Sequence, residues 1–100
     1  MEKKKPHYDL AIIQSIVARD GMAVFTATAR SGFMCMGLSV ADALAVVASL
    51  SGAMLFKSMT THADHKLWQD VYHAPCHNGK IAYIKLTMQN GAVVIQFKEK

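Results

Sequence analysis

Near the end of the chain, Tyr83, Lys85 and Thr87 occupy every second position, and Gln96 and Lys98 do the same a few residues later. The residues between them are apolar: Ala82, Ile84, Leu86 and Met88 in the first run, Val93, Ile95 and Phe97 in the second. Side chains alternate along a strand, so such a pair of runs has one face for a core and one polar face carrying a phenol, an amide and two lysines. That combination suits a phosphodiester. Lysine neutralises phosphate charge and, where desolvated beside other cations, moves protons. A tyrosine hydroxyl donates a hydrogen bond or a proton when cations lower its pKa. RNA brings its own nucleophile, the ribose 2′-hydroxyl. The protein must then help remove that proton, stabilise the pentavalent phosphate and protonate the leaving 5′-oxygen.

The elements that would hold this face follow from hydrophobic period and turn chemistry. Asp9 to Asp20 reads as a first helix, with Leu10, Ile13, Ile16 and Val17 on one side, Asp9 as cap and Gly21 as stop. Met22–Ala27 is a short β-prone run. Thr28–Met36 forms a second helix closed by Gly37, weakened by Gly32 within it. Ser39-Val-Ala-Asp42 opens a third, with Leu44, Val47 and Ala48 as its apolar face, ending near Ser51-Gly52. The period then changes to that of strands, over Lys57–His62, Leu67–His73, Lys80–Met88 and Ala92–Lys98. Asn78-Gly79 and Asn90-Gly91 mark tight turns, because both tolerate positive φ. Helices first and an antiparallel meander second imply a two-layer α+β fold, one domain over residues 1–100.

Charge and composition narrow the partners. Just over half of the residues are apolar, which excludes a disordered tail. The net charge is +4, and residues 51–100 carry six lysines against three acids, so the excess lies with the strands. A small basic protein is predisposed to bind polyanions, nucleic acid above all. Cys35 and Cys76 are too few for a disulfide framework and suit a reducing cytoplasm. Pro6-His7-Tyr8-Asp9 after the charged start argues against a signal peptide. Between Arg30 and Lys57 the chain is apolar, but Gly37 and Asp42 interrupt it. The uncharged stretch Ala43–Phe56 is shorter than the roughly 18–20 residues of a membrane span.

Phe56-Lys57-Ser58-Met59-Thr60-Thr61, then Asp64-His65, Trp68-Gln69-Asp70-Val71-Tyr72 and the terminal Phe97-Lys98-Glu99-Lys100 together resemble the MqsR family. These motility quorum-sensing regulator toxins are RelE-like mRNA interferases of bacterial toxin–antitoxin pairs. Met1-Glu2-Lys3-Lys4 and Pro6-His7 fit as well, while Gly21–Leu55 matches thinly. The resemblance implies a RelE-like fold and cleavage of single-stranded mRNA near GCU or a similar triplet, without a ribosome, metal or cofactor. It also implies a cognate, MqsA-like antitoxin, with no direct DNA binding by the toxin alone. As catalytic residues it implies Lys57, Gln69, Tyr83 and Lys98, with Tyr83 following a loop one residue longer than the family's. Lys85, Gln96 and His65 are the expected RNA contacts. Tyr83 and Lys98 are the two that alternation had already placed on the polar face.

Plainer readings stand beside these. A surface lysine is ordinarily only solvated, a strand tyrosine ordinarily packs across strands, and Trp68 is a core residue before it is a base platform. A non-catalytic RNA- or protein-binding module of the same fold would carry a similar face. His62, His65, His73 and His77 crowd together, and any of them could titrate near neutral pH. His65 is expected to hydrogen-bond in the turn before Leu67. His62-x-x-His65 and His73-x-x-Cys76 have ligand-like spacing, but the pairs lie closer together than in a zinc finger. The loop from His73 to His77 lacks the arginines of the family. Phe33-Met34-Cys35-Met36 is either core or a surface that a partner covers.

Overall fold

Three short polar side chains set where the helices begin. Asp9 accepts from the backbone N–H of Ala11 and Ile12, Thr26 from that of Ala29, and Ser39 from that of Asp42. Each satisfies donors that a first helical turn leaves without partners. In the computed structural model, which describes every residue from Met1 to Lys100, they open α1 (Leu10–Asp20), α2 (Ala27–Cys35) and α3 (Val40–Ala48). At α3 the cap is reciprocal, since the Asp42 carboxylate accepts from the Ser39 N–H. α1 ends at Gly21, which adopts φ 60.

Five strands form one antiparallel sheet in chain order: β1 (Glu2–Lys3), β2 (Leu55–Thr60), β3 (Trp68–Pro75), β4 (Ile81–Gln89) and β5 (Ala92–Glu99). The expected four are present. The fifth, β1, adds two residues at the sheet edge, Glu2 opposite Met59 and Lys3 opposite Ser58. Both Asn-Gly signals mark hairpins. Asn90 and Gly91 take φ 54 and 77, and Gly79 takes φ 85. Met22–Ala27 is not the expected extended run. It begins within a 3₁₀ turn (Gly21–Val24), after which only Phe25 bridges to Ile95. Its apolar residues Val24 and Phe25 are buried, so their composition reported burial rather than a strand.

The three helices cover one face of the sheet. Ile13 and Val17 of α1, Phe33 of α2 and Val47 of α3 meet Tyr72, Ile84, Leu86, Ile95 and Phe97 in one core. Gly32 has a packing reason: a Cβ there would lie 2.0 Å from the Phe97 carbonyl oxygen. Only glycine lets α2 cross β5 so closely. The apolar run beside it divides, with Phe33 and Met36 buried and Met34 63% exposed. No single helix is long and apolar enough to cross a membrane; α2 and α3 pass only when taken together, and they meet at 100°.

Asp70 fastens the amino-terminal segment. Its carboxylate, 1% exposed on the helix side of β3, accepts from the His7 and Tyr8 N–H groups and from the Ser58 hydroxyl at 2.6–3.0 Å. His7 stacks on Trp68, and the Tyr8 hydroxyl donates to the Trp68 carbonyl. These bonds hold β1 against β2.

Candidate active site

The open face of the sheet owes its shape to a bulge in β2. Leu55 pairs with Tyr72, yet Lys57 pairs with Val71, so one residue of β2 is extra. A bulge re-aims side chains. Here it puts Phe56 and Lys57 on the same side, the side away from the helices. Register then builds two rows across the strands. Lys98, Tyr83 and His73 form one, and Gln96, Lys85, Val71 and Lys57 the other. Gln69 follows on the same face, opposite Met59 of β2.

Three flat rings lie side by side along the first row. Phe56 stacks on His73 with centroids 4.4 Å apart and planes 20° from parallel. His73 meets Tyr83 at 5.4 Å. Ammonium groups flank both ends, Lys57 at 5.5 Å from the Phe56 centroid, Lys98 and Lys85 at 5.3 and 5.9 Å from that of Tyr83. Cations within about 6 Å of an aromatic face are attracted by its quadrupole. The row is therefore held by its lysines as well as by stacking.

Lys57 is the most constrained of these. Its ammonium donates to the Glu2 carboxylate at 2.7 Å, and its side chain is 20% exposed. The hydrogen bond to Glu2 raises the Lys57 pKa above lysine's usual value, with burial opposing and the charges of Glu2 and Tyr83 assisting. The same bond lowers the Glu2 carboxyl. Lys57 is thus a fixed cation at neutral pH. Burial, followed by the Lys100 charge, depresses the His73 imidazole, which favours its neutral form. A cleft of about 180 Å³ opens where α2 passes this face. Tyr83, Lys85, Gln96 and Lys98 line it, with Thr28 and Ala29 of α2 on its far side. Gln69 lines a neighbouring depression that shares Gln96.

Six of the residues expected from sequence therefore share one face: Lys57, Gln69, Tyr83, Lys85, Gln96 and Lys98. His65 does not join them. It is exposed in the connection between β2 and β3, and the expectation that it ties the turn is corrected. Thr61 and Asp64 do so instead, through Thr61 Oγ1 and the Asp64 carbonyl and carboxylate. The zinc-like spacing is not realised either. His73 faces the open sheet, Cys76 is buried, and His77 pairs with Asp42 at 3.2 Å. No three His, Cys, Asp or Glu side chains gather as a metal site would require. Glu2 and Phe56 stand within the family motifs, but sequence reasoning gave neither a part in the site. Strand alternation from Gln69 would have found His73; nothing in the sequence marks the bulge.

Comparison with known proteins meets this geometry from the other side. Residues 5–99 match the family described as motility quorum-sensing regulator, toxin of MqsA. The chain is also 35% identical, over the full length of both sequences, to the mRNA interferase toxin MqsR of Escherichia coli strain K12. With nearly every residue inside the family's span and a full-length relative above 30% identity, the chain belongs to the MqsR family of motility quorum-sensing regulator toxins.

Proposed function

We propose that this protein is an endoribonuclease toxin, an mRNA interferase whose single domain spans the whole chain and cuts single-stranded RNA on the open face of its sheet. The observation that carries this reading is the gathering of Lys57, Tyr83, Lys85 and Lys98 on one face of a family member. Cleavage proceeds by attack of the ribose 2′-oxygen on the adjacent phosphorus, the 2′-hydroxyl proton passing to water at the open face as the bond to the 5′-oxygen breaks. It leaves a cyclic phosphate and a 5′-hydroxyl. Lys57, kept cationic by Glu2, faces the phosphate as a charge rather than as a base. Lys98 and Tyr83, beside the cleft, stabilise and protonate the leaving oxygen. Gln69 positions the substrate, Lys85 and Gln96 hold its backbone, and His65 adds an outlying contact.

This chemistry needs no metal, because the nucleophile belongs to the substrate and fixed ammonium groups supply the countercharge. Selectivity falls on GCU or a related GC-containing triplet, read from unpaired bases since A-form grooves hide base edges. The family that the chain matches is described as the toxin of MqsA. A cognate antitoxin of that kind neutralises this protein in turn. The test is incubation of a defined single-stranded RNA carrying GCU sites with excess chelator and no ribosomes. Wild type is expected to give discrete cuts that Lys98→Ala abolishes. Intact RNA with both proteins, each shown to be folded, would replace this reading with a ribosome-dependent enzyme or a binding module.

A further inference from the structure

His73 sits at the centre of the open face, opposite Tyr83 in register, and the mechanism above gives it no part. Its ring nitrogen Nε2 is buried and has no hydrogen-bond partner. A desolvated nitrogen without a partner costs free energy, so what the ring gives the protein here is its shape and not a hydrogen bond. The faces of the ring, in contrast, are both used, by Phe56 on the β2 side and by Tyr83 on the β4 side. The same bulge that brings Phe56 onto His73 aims Lys57.

We infer that His73 is a positioning residue: a flat spacer, wedged between the bulge of β2 and the Tyr83 ring, that holds Lys57 and Tyr83 in fixed relation across β3. A planar group is what the geometry requires there. An aliphatic side chain would leave the Tyr83 ring free to tilt and Phe56 free to collapse into the gap. A permanent extra cation would add repulsion among Lys57, Lys98 and Lys100. The neutral imidazole meets both conditions. The inference rests on the ribonuclease reading and adds to it the part that sets the distance between two of the catalytic groups.

Three variants test it: His73→Ala, His73→Phe and His73→Gln. All are assayed for kcat and KM on cleavable RNA, for affinity toward RNA with a 2′-deoxy residue at the cut site, and for thermal unfolding. Misplacement of catalytic groups costs roughly tenfold to a hundredfold in kcat. His73→Ala is expected to show that loss with KM and affinity nearly unchanged. His73→Phe should restore kcat to within about threefold of wild type, because it keeps the plane and removes the orphan nitrogen. His73→Gln, polar but without a ring, should fall with alanine. The inference is overturned if glutamine matches wild type while phenylalanine is inactive, which would assign chemistry to a ring nitrogen. It is overturned equally if alanine cuts like wild type, and in that case the ribonuclease reading stands. Should wild type itself not cut, that reading fails and this one with it. If alanine does not fold, the contrast between phenylalanine and glutamine still decides.

Discussion

Along β4, Ala82, Ile84 and Leu86 are sealed from solvent, while Tyr83 and Lys85 between them border the open cleft. The two faces of this one strand obey different rules. On the closed face the quantity that matters is apolar area removed from water, and many residues share it. On the open face a few groups matter individually, and what matters is where each one points. The two strand tyrosines show the contrast. Tyr72, 1% exposed on the closed face, has its hydroxyl pushed up to about 12, by burial first and the Asp70 charge second. Tyr83 lies among ammonium groups beside an open cleft, where a phenol is of chemical use.

The sharpest way to break this comparison is to truncate neighbours. Ile84→Ala or Leu86→Ala should cost about 2–5 kcal/mol, by lost transfer free energy and the cavity left behind. Domains of this size are stable by only about 5–15 kcal/mol, so denaturant melts should show a large shift. Lys85→Ala should change stability by less than about 0.5 kcal/mol. It should instead weaken RNA binding and lower the slope of log affinity against log salt by about 0.7, one phosphate contact on a single strand. Comparable destabilisation by Ile84→Ala and Lys85→Ala would mean that the faces are not separate.

Much of the closed face was legible in the sequence because strand alternation has a period of two and admits only two assignments. The runs 82–88 and 93–97 divide into two faces as read, except that Thr87, read with the open set, is buried, and Asn90-Gly91 forms the turn between them. The helix starts at Asp9 and Ser39 were equally legible, since capping is local chemistry. What escaped depends on distant residues. The bulge at Phe56 carries no glycine or proline to announce it. β1 is two residues long, and its place at the sheet edge rests on distant partners, Asp70 on His7 and Tyr8 and Thr60 on Met1. Gly32 read as a weak point of a helix, and its reason is a carbonyl on β5. Four of the catalytic and binding candidates could be placed from alternation alone; Lys57 and Gln69 needed the family motif, and His73 follows by alternation once Gln69 is placed.

Asp70 crosses the comparison, being a charge on the closed side, and is the next largest effect. Its carboxylate serves two backbone N–H groups and the Ser58 hydroxyl in a buried site. Asp70→Ala leaves those donors without an acceptor, at about 1–3 kcal/mol for each one that stays buried. Thermal and denaturant melts should record that loss. The same variant should loosen residues 1–8, and with them the Glu2 carboxylate on Lys57. A buried residue on the closed face would then lower cleavage on the open one. If Asp70→Ala destabilises the protein but leaves kcat unchanged under conditions where it is folded, Glu2 has no share in arranging Lys57.

The smallest effect concerns a charge that belongs to neither face. Asp42 closes the cap of α3 and pairs with His77 beyond the end of β3. The Ser39 backbone N–H, then the His77 and Ser39 side chains, hold its carboxyl below the usual 3.8. A carboxylate whose folded pKa is depressed stabilises the fold fully above its unfolded pKa, and that contribution disappears as pH falls through the lower, folded value. Asp42→Ala should therefore be less stable than wild type at pH 7. The difference should shrink as pH drops below about 4, where the unfolded chain's carboxyl takes up its proton first, and vanish below the depressed folded pKa. Cleavage at pH 7 should not change, because Asp42 borders neither the ring row nor the cleft. Urea melts of both proteins across that range measure the first expectation, and the RNA assay the second. A stability gap that stayed constant with pH would assign Asp42 a packing role instead. A fall in cleavage at unchanged fold would mean that the helix layer, which shares α2 with the cleft wall, transmits strain to the open face after all.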